Sequence, residues 1–190
     1  RLEQAEDLLQ RAVAEATGSA KLKAETRLAM LQTFRGETMV TAAATLDTRD
    51  RSSLARWRNY PLWRRHESLA DDLSDDLRSF PPQVTIEALA ITMTGELADC
   101  FLDRREGVQR IVASACQAAN NLGVKTLAFY GVDGAFHDAE SASEHTDHIA
   151  AANWHALAKF VGQTHCRDGV LIDIGSTTTD IIPIRDGQVA

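Results

Sequence analysis

The chain has 190 residues, 44% of them hydrophobic and 25% charged, with a formal net charge of −7, which is ordinary usage for a packed globular domain. The negative balance repels nucleic-acid backbones and anionic membrane surfaces, so neither is the expected partner. No apolar run approaches the ~20 residues that cross a bilayer, and the start RLEQAEDLLQ lacks a signal-peptide core, so a cytoplasmic location is expected.

Three widely spaced cysteines, Cys100, Cys116 and Cys166, form no CxxC, which argues against a disulfide framework or a thiolate zinc site. The start without methionine and the stop at GQVA read as a piece of a longer polypeptide. Leu2, Ala5, Leu8, Leu9, Ala12, Val13 and Ala16 line one face of a helix, which Gly18-Ser19 interrupts. A second helix is expected over residues 20–34, with Leu22, Thr26, Ala29, Met30 and Thr33 on one side, ending before Gly36. ETMVTAAATLDT has no decisive period, so residues 1–56 are expected to be a helical N-terminal segment of unassigned role.

Arg49, Arg51, Arg56, Arg58, Arg64 and Arg65 interleave with Trp57, Tyr60 and Trp63, a mix able to stack on nucleic acid. The stronger reading pairs these arginines with the acids of the following LADDLSDDL. That stretch is itself an amphipathic helix through Leu69, Leu73 and Leu77, stopped by Pro81-Pro82. From Val84 onward strand and helix signals alternate. IEALAITM (86–93) is a strand, and Val108, Ile111, Val112, Ala115 and Ala119 mark a helix fading at Gly123. KTLAFY (125–130) is a buried strand, and Ile149, Ala152, Asn153, Ala156, Leu157, Phe160 and Val161 form a helix closed by Gly162. Two further strands, residues 169–174 and 180–184, form a hairpin, so residues 57–190 read as an α/β domain with functional loops at strand ends.

GVLIDIGSTTTDIIPI (169–184) carries the most chemistry. A buried strand delivers Asp173 into a turn where Gly175 permits close backbone approach and Ser176, Thr177, Thr178 and Thr179 supply hydroxyls and N–H groups. Such a turn can hold a phosphate, and a carboxylate at the strand end can hold the water shell of Mg²⁺. The alternative is an ordinary hairpin that uses Gly, Ser and Thr for turn geometry.

The spacing Asp173-x-Gly175-x-Thr177-x-x-Asp180 between apolar strands resembles the phosphate-binding hairpin of the actin, sugar kinase and Hsp70-like ATPase superfamily. TMTGELADCF (92–101), REGVQRI (105–111), AANWHALAKF (151–160) and LIDIGSTTTDIIPI (171–184), with YPLW (60–63) as a weaker block, together resemble the hydantoinase A/oxoprolinase-related proteins of tetrahydromethanopterin-linked one-carbon transfer. The resemblance implies an incomplete actin-like (ribonuclease H-like) ATPase-type fold over residues 57–190. It also implies methanofuran-type cofactor synthesis, joining a furanylmethyl diphosphate to an amine.

On the same ground, Asp173, Gly175, Ser176, Thr177, Thr178 and Thr179 would cradle phosphate, with Asp173 at Mg²⁺ and either ATP or a diphosphate as ligand. Asp180 would cap the hairpin. Glu96 and Asp99, just after a strand, would be catalytic, orienting the amine or a metal-bound water. The alternative sets these two acids in the first turn of a helix, at its positive end. The family's opening D-x-G-G-x-N hairpin has no match between Arg1 and Tyr60. A non-catalytic nucleotide-binding or interaction module, with the N-terminal helices docking a partner, is the second functional reading.

HDAESASEHTDH gathers His137, Asp138, Glu140, Glu144, His145, Asp147 and His148, but no HExxH or cysteine accompanies them, so a solvated acidic loop is the expectation. His155 lies two helical turns beyond His148. GxSxG is absent, which disfavours a nucleophile-elbow hydrolase. The three cysteines read as packed thiols, with His165-Cys166 as a candidate reactive pair.

Overall fold

The computed structural model describes residues 27–32, 39–47, 52–82, 85–174 and 179–190. A six-stranded sheet runs in the order β3-β2-β1-β4-β5-β6, from β1 (Arg27–Gln32), β2 (Met39–Asp47), β3 (Ser52–Tyr60), β4 (Ala88–Thr92), β5 (Thr126–Tyr130) and β6 (Phe136–His137). β1, β4 and β5 are mutually parallel, Met30 lying opposite Ala90 and Ala90 opposite Ala128. β2, β3 and β6 join in antiparallel register.

Arg27–Gln32 is therefore a strand, where a helix was expected over residues 20–34. A short apolar run has no periodicity that separates a buried strand from a helix. Here neighbours on both sides settle it, because Met30 is flanked by Ala44 of β2 and Ala90 of β4, and those ladders satisfy its backbone groups. The described part of residues 1–56 is thus extended rather than helical, and it builds half of the sheet. The helix expected over residues 2–16 lies outside the described residues.

Helices cover the sheet. α1 (Leu62–Arg65) passes through a 3₁₀ turn, His66–Ser68, into α2 (Leu69–Arg78), whose Leu69, Leu73 and Leu77 are buried as their spacing requires. α3 (Arg104–Leu122) buries Val108, Ile111, Val112, Ala115, Ala118 and Ala119. Asp103 caps its start by accepting from Glu106 N at 2.8 Å, while Glu106 Oε2 accepts from Leu102 N at 2.8 Å. Its end is Gly123 at φ 73°, the left-handed conformation that only glycine adopts without a Cβ penalty. The main core gathers Tyr60, the α2 leucines, Leu89, Ile91, Met93, the α3 stripe, Phe129 and Ile149.

The basic segment is tied to its own acids. Arg65 donates to both Asp72 oxygens at 2.7 and 2.8 Å, and Arg58 donates to Asp72 Oδ1 at 3.3 Å and Asp76 Oδ2 at 2.8 Å. Burial alone would raise the Asp72 carboxyl, but hydrogen bonds from Ser68 and Tyr60 and the Arg65 and Arg58 charges outweigh it and hold it below the usual range. Burial pushes the Tyr60 phenol up to about 12.

A second sheet of three antiparallel strands comprises β7 (Gly169–Ile174), β8 (Thr179–Arg185) and β9 (Gln188–Val189). Asp186 and Gly187, at φ 53° and 78°, make the two-residue turn between the last two strands. Two short helices, α4 (Ala139–Glu144) and α5 (Thr146–Ile149), precede α6 (Asn153–Thr164). α6 runs through Gly162 rather than stopping there, and glycine is required at that position because a Cβ would stand 2.8 Å from Gly187 O. Its Ala158 is buried with Ile182 and Ile184 of β8. The strand expected to be buried at residues 169–174 is largely exposed, because only the face carrying Leu171 and Ile182 is packed against the helix. On the opposite face Val170, Ile172, Ile174 and Ile181 are 57–77% exposed.

Candidate functional site

Parallel strands in an open sheet present ligand-binding loops at their C-terminal ends, and β4 and β5 end side by side. β4 is buried throughout and apolar up to Thr92, and the chain leaves it through Met93, Thr94, Gly95 and Glu96 without reaching the surface. Glu96 is 2% exposed. Its backbone is clamped against the first turn of α3, because a Cβ on Gly107 would lie 2.0 Å from Glu96 O. A bulkier residue at 107 would push that loop away. Thr92 Oγ1, at the same strand end, is buried with no hydrogen-bond partner among the described residues.

Asp99 belongs to the turn that follows and is exposed, so the two acids expected together share a loop but differ in environment. Neither occupies the first turn of a helix, since α3 begins at Arg104. The helix-dipole alternative for these residues is therefore replaced by a strand-end loop.

At the end of β5, Tyr130 Oη meets His155 Nδ1 at 2.9 Å, and Lys159, one turn later on α6, donates to Gly134 O at 2.9 Å. Burial, with a smaller contribution from Asp133, pushes the Tyr130 phenol up to about 12. Burial and then the Lys159 charge lower His155 below its ordinary value, favouring a neutral ring. α6 therefore connects the β5 end to the second sheet. Sequence reasoning missed this pair because Tyr130 was read as core and His155 as a companion of His148. The signal it had was only a family-like block around residues 151–160.

In the second sheet Asp173 and Asp180 lie directly opposite each other, and Ile174 pairs with Thr179 at the hairpin tip. Two carboxylates facing across one rung repel unless a cation or donor lies between them. Asp173 is part-buried, whereas Thr179 and Asp180 are exposed. Asp180 is a ladder residue of β8. Gly175, Ser176, Thr177 and Thr178 lie outside the described residues. Among the described residues no helix is long and apolar enough to cross a membrane.

A mixed α/β protein with polar loops at parallel strand ends and an acidic hairpin tip is the class these features define. The chain belongs to the hydantoinase/oxoprolinase family, which it matches over residues 87–190, a span that includes Glu96, Asp173 and Asp180. It is 37% identical over 130 residues to the (4-{4-[2-(gamma-L-glutamylamino)ethyl]phenoxymethyl}furan-2-yl)methanamine synthase of Methanocaldococcus jannaschii, covering 68% of this chain and 36% of that protein. A synthase of the same name from Methanococcus vannielii is 58% identical over 33 residues, covering 17% of this chain and 15% of that one. The chain thus spans about a third of the length of the longer-matched relative. Among solved structures, YeaZ from Pseudomonas aeruginosa is 14% identical with a TM-score of 0.42, covering 87% of this chain and 63% of that one.

Proposed function

We propose that this chain supplies part of the site of a synthase of methanofuran-type one-carbon cofactor synthesis, built on an actin-like ATPase-type fold. The observation that carries the reading is the 37% identity over 130 residues to a furan-methanamine synthase. That relative's name contains a phenoxymethyl group, an ether between a phenol oxygen and a furan-bearing carbon. The acceptor proposed here is accordingly a phenol oxygen, in place of the amine expected from the sequence. In this reaction the phenol oxygen bonds to the furanylmethyl carbon, the carbon–oxygen bond to diphosphate breaks, and the phenol proton leaves to a base.

Glu96 is the proposed base. It is buried at the end of β4, on the loop that the strand end presents, and would take the proton of a phenol whose ordinary pKa is near ~10. Asp99, exposed on the same loop, would orient the acceptor from the solvent side. Asp173, with Gly175, Ser176, Thr177, Thr178 and Thr179, would hold the phosphate groups. The all-oxygen set opposed across the Asp173–Asp180 rung fits Mg²⁺, a hard cation that takes carboxylates and water. When bound, Mg²⁺ would neutralise charge on the departing diphosphate.

Calorimetric titration of Mg-diphosphate and Mg-ATP into the protein and its Asp173→Ala variant tests the phosphate site. Binding lost in the variant supports the reading, and preference for diphosphate over ATP identifies the ligand. Equal binding by both proteins removes Asp173 from the site. The exposed apolar face of the β7–β8 hairpin favours the second reading, an interaction module, and phosphate-independent self-association would speak for it.

A further inference from the structure

The hairpin after β5 assembles a group of side chains that phosphate binding does not use. Gly131 to Ala135 form a tight turn, with Gly131 N donating to Ala135 O at 2.9 Å and Gly134 N to Gly131 O at 3.0 Å. That turn sends β6 back along β5 and brings His137 over Asp133. Val132 N donates to His148 O at 2.8 Å, which fixes α5 and its His148 against the same turn.

Asp133 Oδ2 consequently stands 3.0 Å from His137 Nε2 and 3.8 Å from His148 Nδ1. All three ligand atoms lie within 4.8 Å of one another. Tetrahedral coordination at about 2.0–2.2 Å from metal to ligand sets neighbouring ligand atoms about 3.3–3.5 Å apart. The two distances to Asp133 bracket that value, so closing the site on an ion needs small side-chain movements.

The surrounding contacts aim the ligand atoms inward. His137 Nδ1 is held by Ser141 Oγ at 3.1 Å, leaving Nε2 for the site. Asp133 Oδ1 accepts from Ala135 N at 3.0 Å, leaving Oδ2. His145 stacks on His148 with ring centroids 6.0 Å apart and an interplanar angle of 26°. Gly131 makes the room, since a Cβ there would be 2.6 Å from Asp133 Oδ1 and 3.0 Å from His137 Nε2. Burial acts to raise the Asp133 carboxyl, but the Ala135 N–H and the neighbouring imidazoles outweigh it and hold it below its ordinary value.

We propose that Asp133, His137 and His148 form a binding site for a borderline divalent transition metal of the Zn²⁺ class, with its remaining coordination open to solvent. Two imidazole nitrogens and one carboxylate suit Zn²⁺ or Co²⁺, whereas Mg²⁺ takes oxygen ligands. This site is separate in residues and ligand chemistry from the one proposed at Asp173.

The test is Co²⁺ titration of the 190-residue chain followed by visible absorption, with Zn²⁺ competition, in excess Mg²⁺. One bound Co²⁺ displaced by Zn²⁺ is expected, without a thiolate charge-transfer band. Affinity should fall at least about a hundredfold in Asp133→Asn and His148→Ala, and stay unchanged in Asp173→Ala. His148 is half-exposed on a short helix, so His148→Ala folds even if changes at the more buried His137 do not. No Co²⁺ uptake by the wild type overturns the proposal. So does a cobalt spectrum that survives in His148→Ala, or a thiolate band that places the ion on a cysteine.

Discussion

Gly107→Ala is the sharpest test of how the β4 loop is held. A methyl at 107 would lie 2.0 Å from Glu96 O and 2.7 Å from both Glu96 C and Glu96 Cα. Carbon–oxygen contacts settle near ~3.3 Å, so α3 or the loop must move by more than about 1 Å. The obstacle is backbone on both sides and has no rotamer to change. Forced shifts in a packed interior cost about 1–3 kcal/mol, and backbone against backbone belongs at the upper end. Helix propensity acts the other way, favouring alanine over glycine by about 1 kcal/mol. The net expectation is a loss of about 2 kcal/mol, a fall in Tm of about 4–8 °C for a chain of this size. Thermal and urea unfolding monitored by circular dichroism measure it. An unchanged or higher Tm would refute the contact, because propensity alone predicts that sign.

Asp72→Asn should lower stability by about 1–2 kcal/mol, discounted for the partial exposure of Arg58 and Arg65. Because the Asp72 carboxyl is held below its ordinary range, its stabilisation is present above about pH 4 and is lost as pH falls through the folded-state value. Wild type and variant should therefore converge in urea unfolding at acid pH and separate at neutral pH. Glu96→Gln should lower kcat about a hundredfold if Glu96 is the base, whereas Asp99→Asn, which removes only an orienting contact at the surface, should act mainly by raising KM for the phenol, measured by product formation from a furanylmethyl diphosphate and a phenol. Thiol titration at pH 8 should find Cys166 fast and Cys100 and Cys116 slow, since Cys166 is exposed and burial raises the other two.

Elements with a strong local signature were legible in the sequence. α3 announces itself through its apolar stripe and its end at Gly123, whereas its Asp103 cap emerges only with the structure. β4 and β5 show the continuous apolar runs of strands flanked by other strands. Arg27–Gln32 misled because its identity as a strand is decided by partners distant in sequence, Ala42 to Asp47 on one side and Ala88 to Thr92 on the other. Alanine-rich β2 has little strand propensity of its own, and it too is held by two neighbours.

The candidate site divides along the same line. Glu96, just after β4, and Asp173, near the end of β7, stand out in the sequence because each sits in a short motif at a strand end. His137 and His148 were noticed as members of an acidic run, but the residue that unites them, Asp133, lies in the preceding turn and is joined to them only by the fold. Tyr130 and His155 likewise meet only because α6 crosses the end of β5.

The second sheet has a consequence for how the molecule behaves at high concentration. β7 is an outer strand, paired with β8 along one side, and its open face shows Val170, Ile172 and Ile174 in alternation. Among the described residues nothing pairs with the other side of β7, and unpaired backbone beside an apolar stripe is a template on which another strand can be laid. Salting-out conditions strengthen apolar association while screening the repulsion between acidic chains. Sulfate-rich buffers should accordingly drive oligomers to grow through this hairpin, and Ile172→Lys should keep the protein dispersed.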